Sequence, residues 1–307
     1  MELIRGLDQL DKRHRPSVAS IGNYDGVHRG HQHVINTLLA KSRQFNAPAT
    51  VITFEPLAKE FFMPGSVPRL SSIEDRADRL FALGVDRVLC VEFTADFAAY
   101  SPRGFIKDVL VEGLGIKYLC VGDDFRFGKD RAGDFDMLVK AGQEFGFDVT
   151  AHDTFELQGT RVSSGRVRQA LADSDFSLAE QLLGRRFSIS GEVRKGRQLG
   201  RTIDFPTANI QLAGSLAPIR GVFAVTVAIG GEGSFAGVAN VGQRPTVGGS
   251  ENRLEVHLFD FEQDLYGKNL EVIFHSKIRD ERKFESLDLL KQQIMLDAQS
   301  AREELQK

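Results

Sequence analysis

The sequence predicts two domains of different class: an α/β domain on a parallel sheet, then an antiparallel barrel or sandwich that ends in a helix. Three observations carry this. Short apolar runs, Ser17-Val18-Ala19-Ser20-Ile21, Thr50-Val51-Ile52-Thr53-Phe54, Arg87-Val88-Leu89-Cys90-Val91 and Tyr118-Leu119-Cys120-Val121, alternate with helical spacings as far as about residue 150, the pattern of parallel strands covered on both faces. Beyond residue 187 the period changes to alternation, over 222–229, 235–241, 254–259 and 270–274, with Gly-rich turns between. Leu287, Leu290, Ile294, Ala298, Ala301 and Leu305 then share one face of a last helix, expected to pack on the barrel.

A chain of 307 residues, 42% hydrophobic and 26% charged, is long enough for two globular domains. The apolar runs are too short to span a membrane, and Met1-Glu2-Leu3-Ile4-Arg5 lacks the apolar core of a signal peptide, so cytoplasmic residence is expected. Two cysteines, Cys90 and Cys120, both within apolar strand-like runs, agree with a reducing compartment. Before about residue 184 there are 22 basic and 26 acidic residues (−4), and after it 17 and 16 (+1), so neither half resembles a nucleic-acid binder.

In chain order, the first strand stops at Gly22, and Gly22-Asn23-Tyr24-Asp25-Gly26-Val27-His28-Arg29-Gly30-His31 leads into a helix beginning near Gly30, with Val34, Ile35, Leu38 and Leu39 as its apolar face. A helix start offers unpaired N–H groups and a positive dipole end, and Gly22, Gly26 and Gly30 let backbone approach a ligand. His28 and His31 add hydrogen bonds to phosphate oxygens. The competing readings are a structural loop, or zinc on His28 and His31 with His33 nearby. The zinc reading lacks a third ligand of the usual kind. The turn lacks the spacing of the dinucleotide fingerprint, and a G-x-x-x-x-G-K-[ST] loop is absent from the sequence.

The other strands of this domain end in Glu55-Pro56 and in Gly122-Asp123-Asp124-Phe125-Arg126-Phe127-Gly128. Ligands of parallel sheets sit at the carboxyl ends of strands, so these loops are expected to converge with the histidine turn on one site. Val162-Ser163-Ser164-Gly165-Arg166-Val167-Arg168 is a second helix start, with Ser163 or Ser164 as N-cap and Val167, Ala170 and Leu171 as the apolar face. A capped surface helix with solvated arginines reads equally well. A short helix over 178–183 is closed by Gly184, and Arg185-Arg186 marks the expected boundary between domains 1–184 and 185–307.

In the second domain, Gly191-Glu192-Val193-Arg194-Lys195-Gly196-Arg197-Gln198-Leu199-Gly200 combines three glycines with basic residues and suits polyphosphate, although a Gly-rich hairpin is the plain alternative. Phe205-Pro206-Thr207-Ala208-Asn209 follows. If this piece is extended, Thr207 and Asn209 share a face and offer oxygen ligands of the kind Mg²⁺ prefers. In Leu254-Glu255-Val256-His257-Leu258 the apolar residues share one face, which leaves Glu255 and His257 either in solvent or facing a cleft where Glu255 acts as a base.

Taken together, these motifs resemble the prokaryotic bifunctional riboflavin kinase/FMN adenylyltransferase family, also called FAD synthetase. The resemblance runs through His28-x-Gly30-His31, Thr53-Phe54-Glu55-Pro56, 122–128 and Ser163-Ser164-x-x-Val167-Arg168. It continues in 191–200, Pro206-Thr207-Ala208-Asn209, Asn240-Val241-Gly242-x-x-Pro245-Thr246, Glu255 with His257-Leu258-Phe259-Asp260, and Leu265-Tyr266-Gly267-Lys268. It implies a Rossmann-like nucleotidyltransferase domain followed by a six-stranded β-barrel kinase domain. It also implies that riboflavin, FMN, FAD and ATP are the small-molecule partners, with Mg²⁺ as cofactor. By resemblance, Gly22, Asp25, His28, Gly30, His31, Ser163, Ser164 and Arg168 bind ATP and its phosphates, with His28 and His31 catalytic. Asp124, Phe125, Arg126 and Phe127 help hold FMN. In the kinase, Gly191, Lys195, Gly196, Gly200 and Pro206 bind ATP, Thr207 and Asn209 the metal, and Glu255 is the base. The chain departs from the family at Leu57-Ala58, where His-Pro is frequent, and at Gly165, where Thr is frequent. Nothing in the sequence speaks for or against a homo-oligomer.

The competing functions are another nucleotidyltransferase with a regulatory barrel, which Glu255 and the Thr207/Asn209 pair argue against, and a flavin or nucleotide sensor without turnover. The chemistry favours two sites. A neutral ribityl hydroxyl benefits from a base when it attacks the γ-phosphate. An FMN phosphate is already anionic, so adenylyl transfer needs only positioning and charge stabilisation, by cationic or hydrogen-bonding His28, His31 and Arg168.

Overall fold

A computed structural model describes residues 1–195, 205–212, 216–246 and 249–306. Two compact units form: Met1–Ser66 with Ile73–Ser163, and Val67–Ser72 with Ser164–Lys307.

The first unit is a parallel sheet of β1 (Glu2–Arg5), β2 (Ser17–Ile21), β3 (Ala49–Glu55), β4 (Arg87–Glu92), β5 (Ile116–Val121) and β6 (Asp148–Ala151), in the order β1-β4-β3-β2-β5-β6. Successive residues alternate between two buried faces, which is why the central strands read as unbroken apolar runs. Val18, Val51, Val88 and Cys120 face a layer that includes α1 (Arg29–Phe45) and α3 (Ile73–Ala82), through Val34, Ile35, Leu38, Ala77 and Leu80. Ala19, Ile52, Leu89 and Leu119 face the opposite layer, built from a π-helix over Phe105–Gly113 and from α6 (Phe135–Phe145). Short helices α2 (Ala58–Phe62), α4 (Ala95–Ala98) and α5 (Pro102–Gly104) follow β3 and β4, and a small hairpin, β7 (Glu156–Leu157) with β8 (Thr160–Arg161), closes the unit.

The second unit holds α7 (Ser164–Ala172) and α8 (Phe176–Leu183), the latter ended by Gly184 at φ 74°, then a closed antiparallel barrel. Its strands are β9 (Ser188–Arg194), β10 (Ala208–Gln211), β11 (Gly221–Ile229), β12 (Gly233–Thr246), β13 (Gly249–Leu258) and β14 (Asn269–Arg279), in the order β10-β13-β12-β11-β14-β9. Closure pairs β9 with β10 and removes the sheet edges. Helix α9 (Leu287–Leu305) lies on the outside, where Ala298, Ala301 and Leu305 meet Val222, Ala224 and Val238. Only the C-terminal half of the expected stripe packs this way: Leu287 is 69% exposed. Ion pairs fix the same half, Arg279 with Asp297 and Arg302 with Asp260.

Candidate active sites on the sheet and on the barrel

In the sheet unit, β2 ends at Gly22, whose N–H donates to the Ile52 carbonyl at 3.1 Å. The chain then turns through left-handed conformations at Tyr24 (φ 51°), Gly26 (φ 81°) and Val27 (φ 42°) before α1 begins at Arg29. His28 is the N-cap, its Nδ1 accepting the His31 N–H at 3.3 Å, so the neutral ring carries its proton on Nε2. The two rings stack with centroids 3.6 Å apart and 15° between planes, and the Tyr24 ring lies 4.8 Å from His31. Burial pushes the His31 pKa well below its ordinary value, and the adjacent His28, Arg76 and His152 push the same way. His31 is therefore neutral at physiological pH, the hydrogen-bonding alternative of the two considered from sequence. Its Nδ1 is buried with no hydrogen-bond partner among the described residues, which leaves that nitrogen open to a ligand.

Asp25 and His28 are both buried. Gly30 is small because of its neighbours: a Cβ there would meet the His28 ring at 3.1 Å and the Val162 carbonyl at 3.2 Å. After β5, Asp124 is exposed, Arg126 pairs with Asp134 at 3.0 Å, and Phe125 stacks on Phe127 at 5.6 Å. Phe127 itself is buried against Phe105. Ser163 is the last residue of this unit, whereas Ser164 and Arg168 belong to the other, where Arg168 Nε donates to the Pro68 carbonyl at 2.6 Å.

On the barrel, β10 and β13 pair so that Asn209 stands opposite Glu255 and Ala208 opposite Val256. Ala208, Ile210, Leu254 and Val256 are buried in the barrel interior, so Asn209 and Glu255 share the outer face. Asn240 of β12 flanks Glu255 on its other side. Arg253 Nη1 donates to Glu255 Oε1 at 3.0 Å. The Asn209 amide donates to the Thr207 carbonyl at 3.4 Å, while its Oδ1 is buried without a partner among the described residues. Pro206, Thr207 and Asn209 line a cavity of about 430 Å³ with Val193, Leu265 and Tyr266, within the usual range for small-molecule sites. Lys195 Nζ lies 5.9 Å from the Tyr266 ring centre, and His257 Nδ1 donates to the Pro206 carbonyl at 2.9 Å. Gly191 lies inside β9, where a Cβ would meet Ile210 at 2.7 Å. Gly196 and Gly200 fall outside the described residues.

The FAD synthetase family matches residues 10–166 and the riboflavin kinase family residues 183–305. The bifunctional riboflavin kinase/FMN adenylyltransferase of Escherichia coli (strain K12) is 50% identical over 305 residues, covering 99% of this chain and 97% of its own. That of Pseudomonas fluorescens is 49% identical over 303 residues, covering 98% and 97%. The chain belongs to the bifunctional riboflavin kinase/FMN adenylyltransferase family. A crystal structure described as that of a macrolide-efflux protein from Streptococcus pneumoniae shares the fold, with TM-score 0.78 and 29% identity, covering 98% of this chain and 99% of that one. No helix among the described residues here is long and apolar enough to cross a membrane.

Within this family frame, sequence reasoning missed an aromatic cluster at the carboxyl ends of β3 and β4. Phe93 contacts Phe54 at 5.8 Å, Phe61 at 5.4 Å, Phe62 at 5.8 Å and Phe97 at 5.4 Å. Phe62 and the following Met63 are 66% and 57% exposed. The apolar run Phe61-Phe62-Met63, directly after a strand-end loop, was the available signal, because exposed apolar patches mark binding surfaces. His152 was also missed. It follows β6 at the same end of the sheet and would lie 3.4 Å from a Cβ on Gly122.

Proposed function

We propose that the two flavin-biosynthetic activities of this family divide between residues 1–184, which adenylylate FMN, and 185–307, which phosphorylate riboflavin; the family matches at 10–166 and 183–305 support that division. In the first reaction an FMN phosphate oxygen attacks the α-phosphorus of ATP and pyrophosphate leaves. The nucleophile is already anionic, so a neutral His31 beside His28 suffices as hydrogen-bonding support for the phosphates. The N–H groups of the first turn of α1 add to it. The phenylalanine cluster offers flat apolar rings suited to an isoalloxazine. Gly22, Asp25 and Ser163 are assigned to ATP in this unit, and Ser164 and Arg168 of α7 carry that assignment from the sequence resemblance alone. Asp124 to Phe127 are assigned to FMN, with Phe127 acting from the core.

In the second reaction Glu255 accepts the proton of the ribityl hydroxyl as that oxygen attacks the γ-phosphorus of ATP and ADP leaves. One observation carries this assignment: β10 and β13 set Asn209 directly beside Glu255 on one face, with Asn209 Oδ1 buried and unpartnered. An amide oxygen without a partner among the described residues, on a residue that lines the same cavity as Thr207, suits a hard cation, so these two residues would hold Mg²⁺. Bound there, Mg²⁺ neutralises charge on the ATP phosphates. Lys195, Gly191, Pro206 and the 196–200 stretch are assigned to ATP in the kinase. Cytoplasmic residence belongs to the same proposal and is supported by free, buried Cys90 and Cys120.

Incubation with riboflavin, ATP and Mg²⁺, followed by chromatography of the flavins, should yield FMN and then FAD. Glu255→Gln should suppress FMN formation by about 10²- to 10⁴-fold while FMN supplied directly is still converted to FAD, and His28→Ala should do the reverse. Loss of both activities in either folded variant would refute the two-site division.

A further inference from the structure

Thr53-Phe54-Glu55-Pro56 closes β3, and the reactions above leave its threonine without a role. Thr53 is fully buried, as is Arg76 of α3. Arg76 Nη1 donates to Thr53 Oγ1 at 2.9 Å and to the Phe54 carbonyl at 3.4 Å, and Nη2 lies 3.9 Å from the Glu55 carboxylate. Thr53 Oγ1 in turn donates to the Asn23 carbonyl at 3.0 Å. A guanidinium has only donors and keeps its proton, and a hydroxyl has a single proton to give. Arg76 therefore fixes the polarity of the chain: Thr53 accepts from α3 and must donate to Asn23.

Asn23 precedes the strained part of the histidine turn. Tyr24 and Val27 both have positive φ, and for a β-branched residue such as Val27 that region is an outlier. Such conformations persist only where the surroundings over-determine them. Several hydrogen bonds hold the turn from below and from α1: Gly22 to Ile52, the Tyr24 hydroxyl with Ser20 at 2.6 Å, and Gln32 Nε2 to the Val27 carbonyl at 3.0 Å. The Thr53 contact ties it sideways to the neighbouring strand through a buried charge.

We propose that Thr53 and Arg76 are positioning residues for adenylyl transfer, holding the strained turn through the Asn23 carbonyl in the conformation that stacks His28 on His31. The proposal rests on the reading of His28 and His31 as the phosphate-stabilising pair and names what keeps them in place.

The test is Thr53→Val, which keeps the shape and deletes the hydroxyl, in the full-length enzyme. We expect kcat for FMN adenylylation to fall about tenfold or more with KM for FMN and ATP within about twofold, the signature of a transition-state defect. Riboflavin phosphorylation by the same protein should be unchanged. Amide hydrogen exchange over residues 22–31 should quicken about tenfold, reporting the loosened turn. Thr53→Ser should restore both readouts, and Arg76→Lys, which keeps a cationic donor, should fall between. Should Thr53→Val fail to fold, Thr53→Ser and Arg76→Lys still decide through exchange. Wild-type exchange and kcat in Thr53→Val, a change in KM alone, equal loss in Thr53→Ser, or wild-type exchange in Arg76→Lys each overturns the proposal. If His28→Ala leaves adenylylation intact, it is the reading of the histidine pair that fails; if His28→Ala abolishes it and Thr53→Val does not, only the positioning role falls.

Discussion

Replacing Gly30 by alanine sets helix propensity against the geometry of the histidine pair. Alanine is favoured over glycine by up to about 1 kcal/mol inside a helix, and less at the second position of α1, where Gly30 sits. The added Cβ would lie 3.1 Å from Cε1 and from Nδ1 of His28, and 3.2 Å from the Val162 carbonyl oxygen. The carbonyl is backbone, so the His28 ring is what moves. Its rotation breaks the cap to the His31 N–H, worth about 0.5–2 kcal/mol, and disturbs a ring stack worth about 0.5–1.5 kcal/mol. The propensity gain offsets part of this, so the net stability loss should be about 0–3 kcal/mol. Catalysis does not share in that compensation, because a misplaced donor costs about 10²-fold in rate. Gly30→Ala should therefore melt within about ten degrees of wild type yet lose about 10²-fold in pyrophosphate release at saturating FMN and ATP, with riboflavin phosphorylation intact as an internal control. Adenylylation within threefold of wild type would show that the stacked arrangement of His28 does not matter to the reaction.

Two further outcomes follow from the packing. Burial, reinforced by His28, Arg76 and His152, holds the His31 pKa well below 6.5, so between the lowered value and the ordinary one the unfolded chain binds more protons than the folded one. The stability this contributes is complete above about pH 6.5 and is lost as pH falls through the lowered pKa; melting curves across that window should show a decline that His31→Gln reduces, and an unchanged slope would refute the assignment. In the barrel unit, Arg279 Nε and Nη2 donate to Asp297 Oδ1 and Oδ2 at 2.8 and 2.6 Å, so Asp297→Ala should cost about 3–5 kcal/mol by stranding a largely buried guanidinium. Denaturant unfolding followed in that unit checks this, and a loss below about 1 kcal/mol would mean that the pair does not anchor α9.

What could be read from the sequence depended on how completely an element is buried. The central strands β2 to β5 declare themselves because both their faces are covered. Strand β1 did not, since of its four residues only Ile4 is buried. Strand β9 resembled a Gly-rich loop because Gly191 interrupts its alternation, and only the paired structure reveals that Ile210 occupies the space of a side chain there. Helix α9 carried a full apolar stripe, but ion pairs at Arg279 and Arg302 decide which half of it docks. At the sites, Gly and His at strand ends and the alternating Thr207/Asn209 stood out because those residue types are unusual in such places. The phenylalanine cluster did not, because phenylalanine is ordinarily core. The Arg76–Thr53–Asn23 chain has no local signature, since its three members are separated in sequence and meet only when α3 packs on the sheet.

On the proposed division of labour the two units face opposite electrostatic problems, and the residues assigned to them differ accordingly. The ribityl hydroxyl is neutral, which suits Glu255 as the proposed base: Arg253 donates to one of its carboxylate oxygens, and the other would take the proton. The FMN phosphate arrives charged, so on this reading the sheet needs no base at the histidine turn, whose buried Asp25 is assigned to ATP. It presents two stacked imidazoles, one of them kept neutral by burial and by a permanent cation, Arg76, set behind it. On this reading a carboxylate exchanged for either histidine would face the incoming phosphates with like charge, and burial would strengthen the repulsion. A histidine exchanged for Glu255 would have to accept its proton beside the Arg253 guanidinium, which disfavours the protonated ring.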